Sequence, residues 1–364
     1  MIAVHCGAGH YSSKSLKDYK LLSKRACKKG MAVIESGGTA VQAVNEAIIV
    51  LENDPLTNAG FGSNLTLEGN IECDASVMNG ENLLFGACGA VKKVKNPISL
   101  AYDIYKRQLL PLPLGLVSPQ LVVGSGALMH AKKAGLKVVK QHKLISKKAL
   151  KCHIKYKSIL ESIHSGNEDT NEIYLTEVSA ESSYSNRNDT VGAVCIDEKG
   201  HVAAGCSSGG LVLKRSGRVG QAAHYGAGVW ADSFTNDRPK IAVCTTGCGE
   251  QIVQTLLAKT IAEDLILEKV CPTVDLHNCL TDKFIRSRFL TRSHVSKLGG
   301  ALALRADVTK AEVSLLWGHT TSSLAVGYMK KGEKPHSQIS ILPDKAQEGH
   351  SVIVSGAEFY MDST

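Results

Sequence analysis

The sequence predicts a layered α/β fold of the α+β kind, two sheets covered by helices, in which both halves of the chain complete one core. Three observations predict it: a strand and two helices open the chain, six short apolar runs crowd its second half, and a polar stretch without period separates the blocks. With 364 residues and 43% hydrophobic content, the chain suits one large domain or two modest ones and has ample material for a core.

Residues 2–5 form a short apolar run that ends in the glycine turn CGAG. From about 16 to 35 the apolar residues recur at helical spacing. After SGGT, Thr39 is placed as the N-cap of a second helix with Val41, Val44, Ile48 and Leu51 on one side. The next stretch, NDPLTNAGFGSNLTLEGNIECDASV, is rich in Gly, Asn and Asp and reads as loops leading to strands near 71–77 and 83–91. Gly60 and Gly62 would let backbone approach something closely. Residues 167–188 are polar and without period, a mobile loop of more than 20 residues; such loops inside domains are functional or disordered. Beyond it, residues 191–196, 201–206, 241–245, 301–305, 312–317 and 323–328 are short, apolar and often bounded by glycine, hence strands. Helical patterns interrupt them at about 250–266 and 274–285.

No apolar run reaches the roughly 20 residues of a spanning helix, so no membrane partner is expected. The opening MIAVHCGAGHY lacks the charged region and long apolar core of a secretory signal, which points to the nucleus or cytoplasm. The 11 cysteines contain no CxxC pair; Cys244 and Cys248 come nearest and lack the second pair that a zinc site needs, which favours reduced, buried thiols. Sequons begin at Asn64 and Asn188 and matter only in the secretory pathway. The formal charge of +8 is uneven: ten lysines and no acidic residue fall between Lys132 and Lys157. That run reads as an import signal, a nucleic-acid patch or a solvated helix face. Tyr156 is its one aromatic residue, so base stacking has little support and no direct nucleic-acid partner is expected.

GCSSG (205–209) fits the GxSxG elbow with Ser207 as nucleophile, but the glycine-rich GLVLKRSGRVG that follows argues against the helix this motif requires. No GxGxxG follows a strand and no Walker loop is present, so no nucleotide is indicated. His5, His201, His224 and His319 are isolated, and a lone histidine beside a strand is more often a packing residue than a catalyst. Thr190 stands apart, because a buried strand starts on it straight after the polar stretch ends in Asn188-Asp189. A threonine hydroxyl is a weak nucleophile unless a base lies within hydrogen-bond reach, and the nearest base is the threonine's own nitrogen. In a peptide bond that nitrogen is not basic. Once the chain is cut before Thr190, it becomes an α-amine with a reference pKa of about 7.7–8.0, suited to proton transfer at neutral pH. One residue then supplies nucleophile and base, and its branched Cβ restricts χ1 and so the angle of the hydroxyl. On this feature alone, a plain β-branched strand residue accounts for Thr190 as well.

TVGAVCIDEKGHVAAGCSSGG, KRSGRVGQAAHYGAGVWA and TTGCGE resemble, in order, the signatures of the type 2 asparaginase family of N-terminal nucleophile hydrolases. VHCGAGH, TAVQAV, TNAGFGSNLTLEGNIECDASVM and FGACGAV are similar to the amino-terminal half of that family, and the resemblance covers nearly the whole chain apart from about 130–188. It implies a four-layer αββα sandwich and self-cleavage between Asp189 and Thr190. The products would be an α subunit, 1–189, with the basic and mobile segment at about 130–189, and a β subunit, 190–364, together one domain. The resemblance also implies site roles. Thr190 matches the nucleophile, Ser208 the hydroxyl that orients the nucleophile's amine, and Thr246 with Gly247 the oxyanion hole. Arg218 matches the arginine that holds a substrate carboxylate, where a planar guanidinium suits better than a lysine. Asn64 falls at a contact near the scissile group. No metal or organic cofactor is implied.

Two departures bear on the substrate. Members that cleave free amino acids resemble GRVGD, whose aspartate binds an α-amine; here the position is Gln221, an amide that can hydrogen-bond a peptide but cannot neutralise an ammonium. The residue before the nucleophile, usually glycine in asparaginases, is Asp189, so the precursor offers an aspartyl bond to its own site. Both features resemble the family's threonine aspartase branch. They imply an autoproteolytic threonine endopeptidase that cuts protein substrates, nuclear transcription regulators among them, between Asp and Gly. An αβ heterodimer that pairs again into (αβ)2 is implied with it. Two other readings stay open: an asparaginase or isoaspartyl peptidase acting on small substrates, and an uncut, non-catalytic binding scaffold of the same fold.

Overall fold

Tyr19, Leu22, Cys27, Met31 and Ile34 form the buried stripe of helix α1 (Leu16–Glu35) in a computed structural model that describes residues 1–164, 189–233, 238–293 and 295–360. α1 packs on α2 (Ala40–Glu52), which Thr39 opens as expected: its backbone N–H donates to Gln42 Oε1 at 2.8 Å. Asp197, from the distant DEKG turn, braces the same end by accepting from Ala40 N at 3.0 Å. Pro97 starts α3 (Pro97–Gln108) at a position where its missing N–H costs nothing.

The larger sheet takes β1 (Ile2–Gly9), β2 (Cys73–Asn79), β3 (Leu84–Val91), β4 (Leu121–Val123), β5 (Val191–Ile196), β6 (Val202–Ser208), β11 (Ser323–Met329) and β12 (His336–Ile341). Their spatial order is β12-β11-β1-β5-β6-β2-β3-β4. The smaller sheet takes β7 (Val229–Asp232), β8 (Lys240–Gly247), β9 (Gly299–Asp307), β10 (Glu312–His319) and β13 (Ile353–Tyr360), ordered β13-β10-β9-β8-β7. Every neighbouring pair is antiparallel except β3 and β4.

Three apolar layers follow from this order. Ile2, Val4, Leu22, Val44, Ile48 and Val191 pack between the larger sheet and α1 to α3. Ala3, Val194, Ala204, Leu302 and Trp317 fill the space between the sheets. Val243, Leu316, Ile261 and Leu265 lie between the smaller sheet and the helices α7 (Leu257–Leu267) and α8 (Pro272–Asn278). Alternate residues of β1 therefore enter different layers, because successive side chains of a strand point to opposite faces. The layers run helix, sheet, sheet, helix, the αββα sandwich, with both halves of the chain in one core.

Some expected elements change on inspection. The helical pattern at 250–266 is two helices, α6 (Gly249–Thr255) and α7, parted by Leu256 in a left-handed conformation with φ of 45°. The pattern at 274–285 is α8 followed by a π-helical turn, Cys279–Ile285. The lysines between 132 and 157 spread over the end of α4 (Gly124–Lys133), a short 3₁₀ turn (Gln141–Leu144) and α5 (Lys147–His164), mostly facing solvent, while Ala149, His153 and Tyr156 turn inward. The polar segment 167–188 lies outside the described residues. Among the described residues no helix is long and apolar enough to cross a membrane. β5 sits between β1 and β6, so the residue that precedes it is delivered to the buried seam between the larger sheet and the end of β8.

Candidate active site

Thr190, directly before β5, is 1% exposed, and both its hydroxyl and its nitrogen are held. Gln221 Nε2 donates to Thr190 Oγ1 at 2.7 Å, and Thr190 N donates to Thr246 Oγ1 at 3.1 Å, from one sheet to the other. Thr246 Oγ1 also accepts from Ala8 N at 3.1 Å. With two N–H groups on its oxygen, the Thr246 hydroxyl still has its own proton to donate. Gly247 follows with φ of 133°, where a methyl would stand 2.3 Å from the Leu298 carbonyl oxygen, so only glycine fits there.

Ser208 stands opposite Thr190 by register, since Val191 pairs with Ser207. Its hydroxyl accepts from Gly210 N at 2.9 Å and makes no hydrogen bond to the Thr190 nitrogen. The orienting contact expected of Ser208 is therefore not formed in the joined chain. The reason is that an amide has a single N–H, and Thr246 takes it; cleavage turns that amide into an amine with further hydrogens. Ser207, the would-be elbow serine, is a strand residue of β6 and donates to Glu52 Oε1 at 2.7 Å.

Asn64 lies on the same rim, its Nδ2 donating to Gly210 O and its N–H to Asn58 Oδ1, both at 2.8 Å. Arg218 fills a cradle of three glycines: methyls on Gly210, Gly220 and Gly249 would come within 2.8, 2.7 and 2.6 Å of its guanidinium nitrogens. On the open side, Nε and Nη2 donate to the two carboxylate oxygens of Glu250, each at 2.8 Å. Glu250 thus already pairs with Arg218 in the bidentate way expected of a substrate carboxylate.

The asparaginase family pattern matches residues 1–338. The chain belongs to the type 2 asparaginase family. It is accordingly an N-terminal nucleophile hydrolase of a self-cleaving kind. The isoaspartyl peptidase/L-asparaginase of Xenopus laevis is 37% identical over 261 residues, covering 72% of this chain and 74% of that protein. The mouse (Mus musculus) protein of the same name is 35% identical over 262 residues, 71% of this chain and 70% of its own. The probable isoaspartyl peptidase/L-asparaginase 2 of Arabidopsis thaliana is 34% identical over 274 residues, 72% and 79% of the two chains. Thr190, Ser208, Arg218, Gln221, Thr246 and Gly247 all fall inside the stretch that matches the asparaginase family.

The residue before Thr190 has buried and crowded surroundings. Asp189 is buried so close to Gly7 that a methyl there would stand 2.5 Å from its Cβ, and its Oδ1 has no hydrogen-bond partner among the described residues. It borders a cavity of about 360 Å³ whose walls include Tyr11, Tyr19, Leu56, Asn64 and Lys148. Asp189 makes no ion pair with Arg218 among the described residues; Glu250 pairs with that arginine. Burial pushes the Asp189 carboxyl from 3.8 up to about 7, eased by Lys148. A folded pKa above the unfolded one gives a stabilisation that is complete below about pH 4 and lost as pH rises through about 7, worth roughly 4 kcal/mol at most. In the uncleavable Thr190→Ala chain, Asp189→Asn should raise the melting temperature by a few degrees at pH 8 and much less at pH 4. Thermal unfolding at both pH values checks this, and equal gains would assign the effect to packing.

His5, expected as a packing residue, lies beside the nucleophile strand. It is fully buried, and neither ring nitrogen has a hydrogen-bond partner among the described residues. Burial lowers its pKa to about 3, and the neighbouring Thr190 backbone opposes that shift without closing a hydrogen bond, so the ring is neutral. Gly192 faces it in β5, where a methyl would meet His5 Nε2 at 2.3 Å. Strand periodicity places His5 inward but says nothing of unpaired nitrogens. Glu250 and Lys148 likewise reach the site only through tertiary packing.

Proposed function

We propose that this asparaginase-family chain is a threonine endopeptidase of the taspase type. It cuts itself between Asp189 and Thr190, then cleaves protein substrates after aspartate, at Asp-Gly bonds of nuclear transcription regulators. Gln221 is the observation that carries this reading. Its Nε2 is engaged with the nucleophile at 2.7 Å, and its Oε1 lies 2.6 Å from where a methyl on Gly249 would stand. The position therefore offers a neutral amide where the ammonium of a free amino acid needs an anion.

Cleavage frees the Thr190 nitrogen as an amine, which takes the proton of Oγ1 as Oγ1 attacks the carbonyl carbon of the substrate aspartate. The oxyanion that develops is met by the Thr246 hydroxyl and the Gly247 N–H; one such donor is typically worth roughly 3–4 kcal/mol. The amine passes the proton to the leaving nitrogen, and water then releases the acyl group from Oγ1. Arg218 receives the aspartate carboxylate throughout. The same reading has an αβ heterodimer, 1–189 with 190–364, paired as (αβ)2 in the nucleus or cytoplasm.

A second reading also has a specific finding in its favour, since relatives at 34–37% identity carry the name isoaspartyl peptidase/L-asparaginase. Side-by-side assays decide between them. Purified, self-cleaved protein is expected to cut an Asp-Gly peptide and to leave asparagine and β-aspartyl dipeptides intact; turnover of the small substrates alone would establish the second reading. Gln221→Asp should supply the missing anion, moving the ratio of kcat/KM values toward small substrates by roughly 10-fold or more. An unchanged ratio in a self-cleaved variant would remove Gln221 as the determinant.

A further inference from the structure

A carboxylate that reaches Arg218 meets a guanidinium already in use. Nε and Nη2 are taken by Glu250, which leaves Nη1 as the edge open to a second anion. Nη1 overlooks Gly210, standing 2.8 Å from where a methyl on that residue would be. Nζ of Lys214 stands 3.1 Å from the same point. Two cations thus lie close together beside Gly210, on the loop that leaves Ser208.

Lys214 is 4% exposed, which is rare for a lysine. Its ammonium has three N–H groups, and the hydrogen bond it makes is to Glu72 O; it forms no ion pair among the described residues. Asp74 lies near enough for Lys214 to be the chief charge opposing the upward shift that burial imposes on its carboxyl. Both Asp74 oxygens are occupied, however, by Ala90 N at 2.8 Å and Gly220 N at 2.9 Å. A buried ammonium with spare donors is costly unless an anion completes it. The backbone also fixes the place: Leu67 N donates to Lys214 O and Leu213 N to Leu65 O, each at 3.0 Å, so Lys214 is pinned beside the segment that carries Asn64.

We propose that Lys214 is the second cation of the substrate site, and that the aspartate carboxylate bridges Lys214 Nζ and Arg218 Nη1 above Gly210. This rests on the aspartate-directed reading given above. One oxygen faces each nitrogen, so an asparagine in the same place turns its NH2 toward a cation and is rejected. Lys214, supplying the positive charge that Glu250 offsets at Arg218, makes the pocket select the acid over the amide.

Lys214→Met keeps the length of the side chain and removes its charge. With matched Asp-Gly and Asn-Gly peptides, KM for the aspartyl peptide should rise roughly 10–100-fold while kcat changes little, and the Asp-over-Asn preference should shrink by the same factor. Self-cleavage should still go to completion, because the Asp189 carboxylate is not at this site, and Lys214→Arg should recover part of the KM. A folded, self-cleaved Lys214→Met with unchanged KM and preference would overturn the proposal, as would an equal loss of kcat on both peptides. If Lys214→Met does not fold, a crystal of the unaltered protein soaked in succinate decides: a carboxylate within hydrogen-bond distance of both Nζ and Nη1 supports the site, and one on Arg218 alone overturns it. Should the protein turn over asparagine and no peptide, the endopeptidase reading fails by itself. The same KM measurement, made on asparagine's α-carboxylate, then still decides Lys214.

Discussion

Thr190→Ala is expected to leave the chain as a single 38.8 kDa band on a denaturing gel, where the unaltered protein gives two fragments split before residue 190. Hydrolysis should fall by at least about 10⁴-fold, as it does when an activated nucleophile is deleted elsewhere. The substitution removes Oγ1, the atom that Gln221 Nε2 holds at 2.7 Å, and with it the hydroxyl that the freed nitrogen of residue 190 would activate. Ser207 is engaged with Glu52 and Ser208 with Gly210 N. The backbone bond from residue 190 to Thr246 Oγ1 survives, so the fold is retained and the loss is chemical. Thr190→Ser keeps the oxygen but loses the methyl that restricts χ1, and should process more slowly without stopping. Two fragments from Thr190→Ala, or an active preparation of the unaltered protein that runs as one full-length band, would remove the mechanism and favour the binding scaffold.

Much of the fold is legible because the strands that form its centre are buried on both faces. β5 and β6 show as unbroken apolar runs joined by DEKG, and the structure puts them side by side with Val191 opposite Ser207. The edges are harder: β12 and β13 are half exposed, with polar and apolar residues mixed, and present no clean alternation. α3 does carry a readable period, Ile98, Ala101, Ile104 and Tyr105 behind Pro97. α5 is masked by its lysines, although its first turn brings the exposed Lys148 to the cavity beside Asp189. In the site, the hydroxyls and glycines could be placed from their motifs, since each lies within a few residues of a strand end. What they touch could not. The pairing of Arg218 with Glu250 joins residues 32 apart, and the contact of Gln221 with Thr190 joins residues 31 apart. No local pattern encodes such distances, and Ser208 shows the converse: its motif sets it opposite Thr190 in the strand register, while the contact that the motif implies is not formed in the joined chain.

Arg218→Ala separates self-cleavage from action on other molecules. Cleavage of an Asp-Gly peptide should fall by roughly 10²–10³ in kcat/KM, because a charge-assisted contact to the aspartate carboxylate is lost and Lys214 alone cannot replace it. Self-cleavage should persist, since Asp189 lies against Gly7 and Tyr11, away from the arginine, and its carboxylate makes no bond to it. The fold should tolerate the change: the side chain of Glu250, released from the pair, is 55% exposed and remains hydrated, and an ion pair of that exposure contributes little to stability. Arg218→Lys keeps a charge without the planar fork and should fall between the two. The readout is a time course of fragment formation on a gel beside peptide kinetics on the fully processed protein. Equal loss of both activities would make Arg218 a structural residue. Peptide cleavage undiminished after Arg218→Ala would move the carboxylate elsewhere and leave Glu250 as the only anion that the arginine serves.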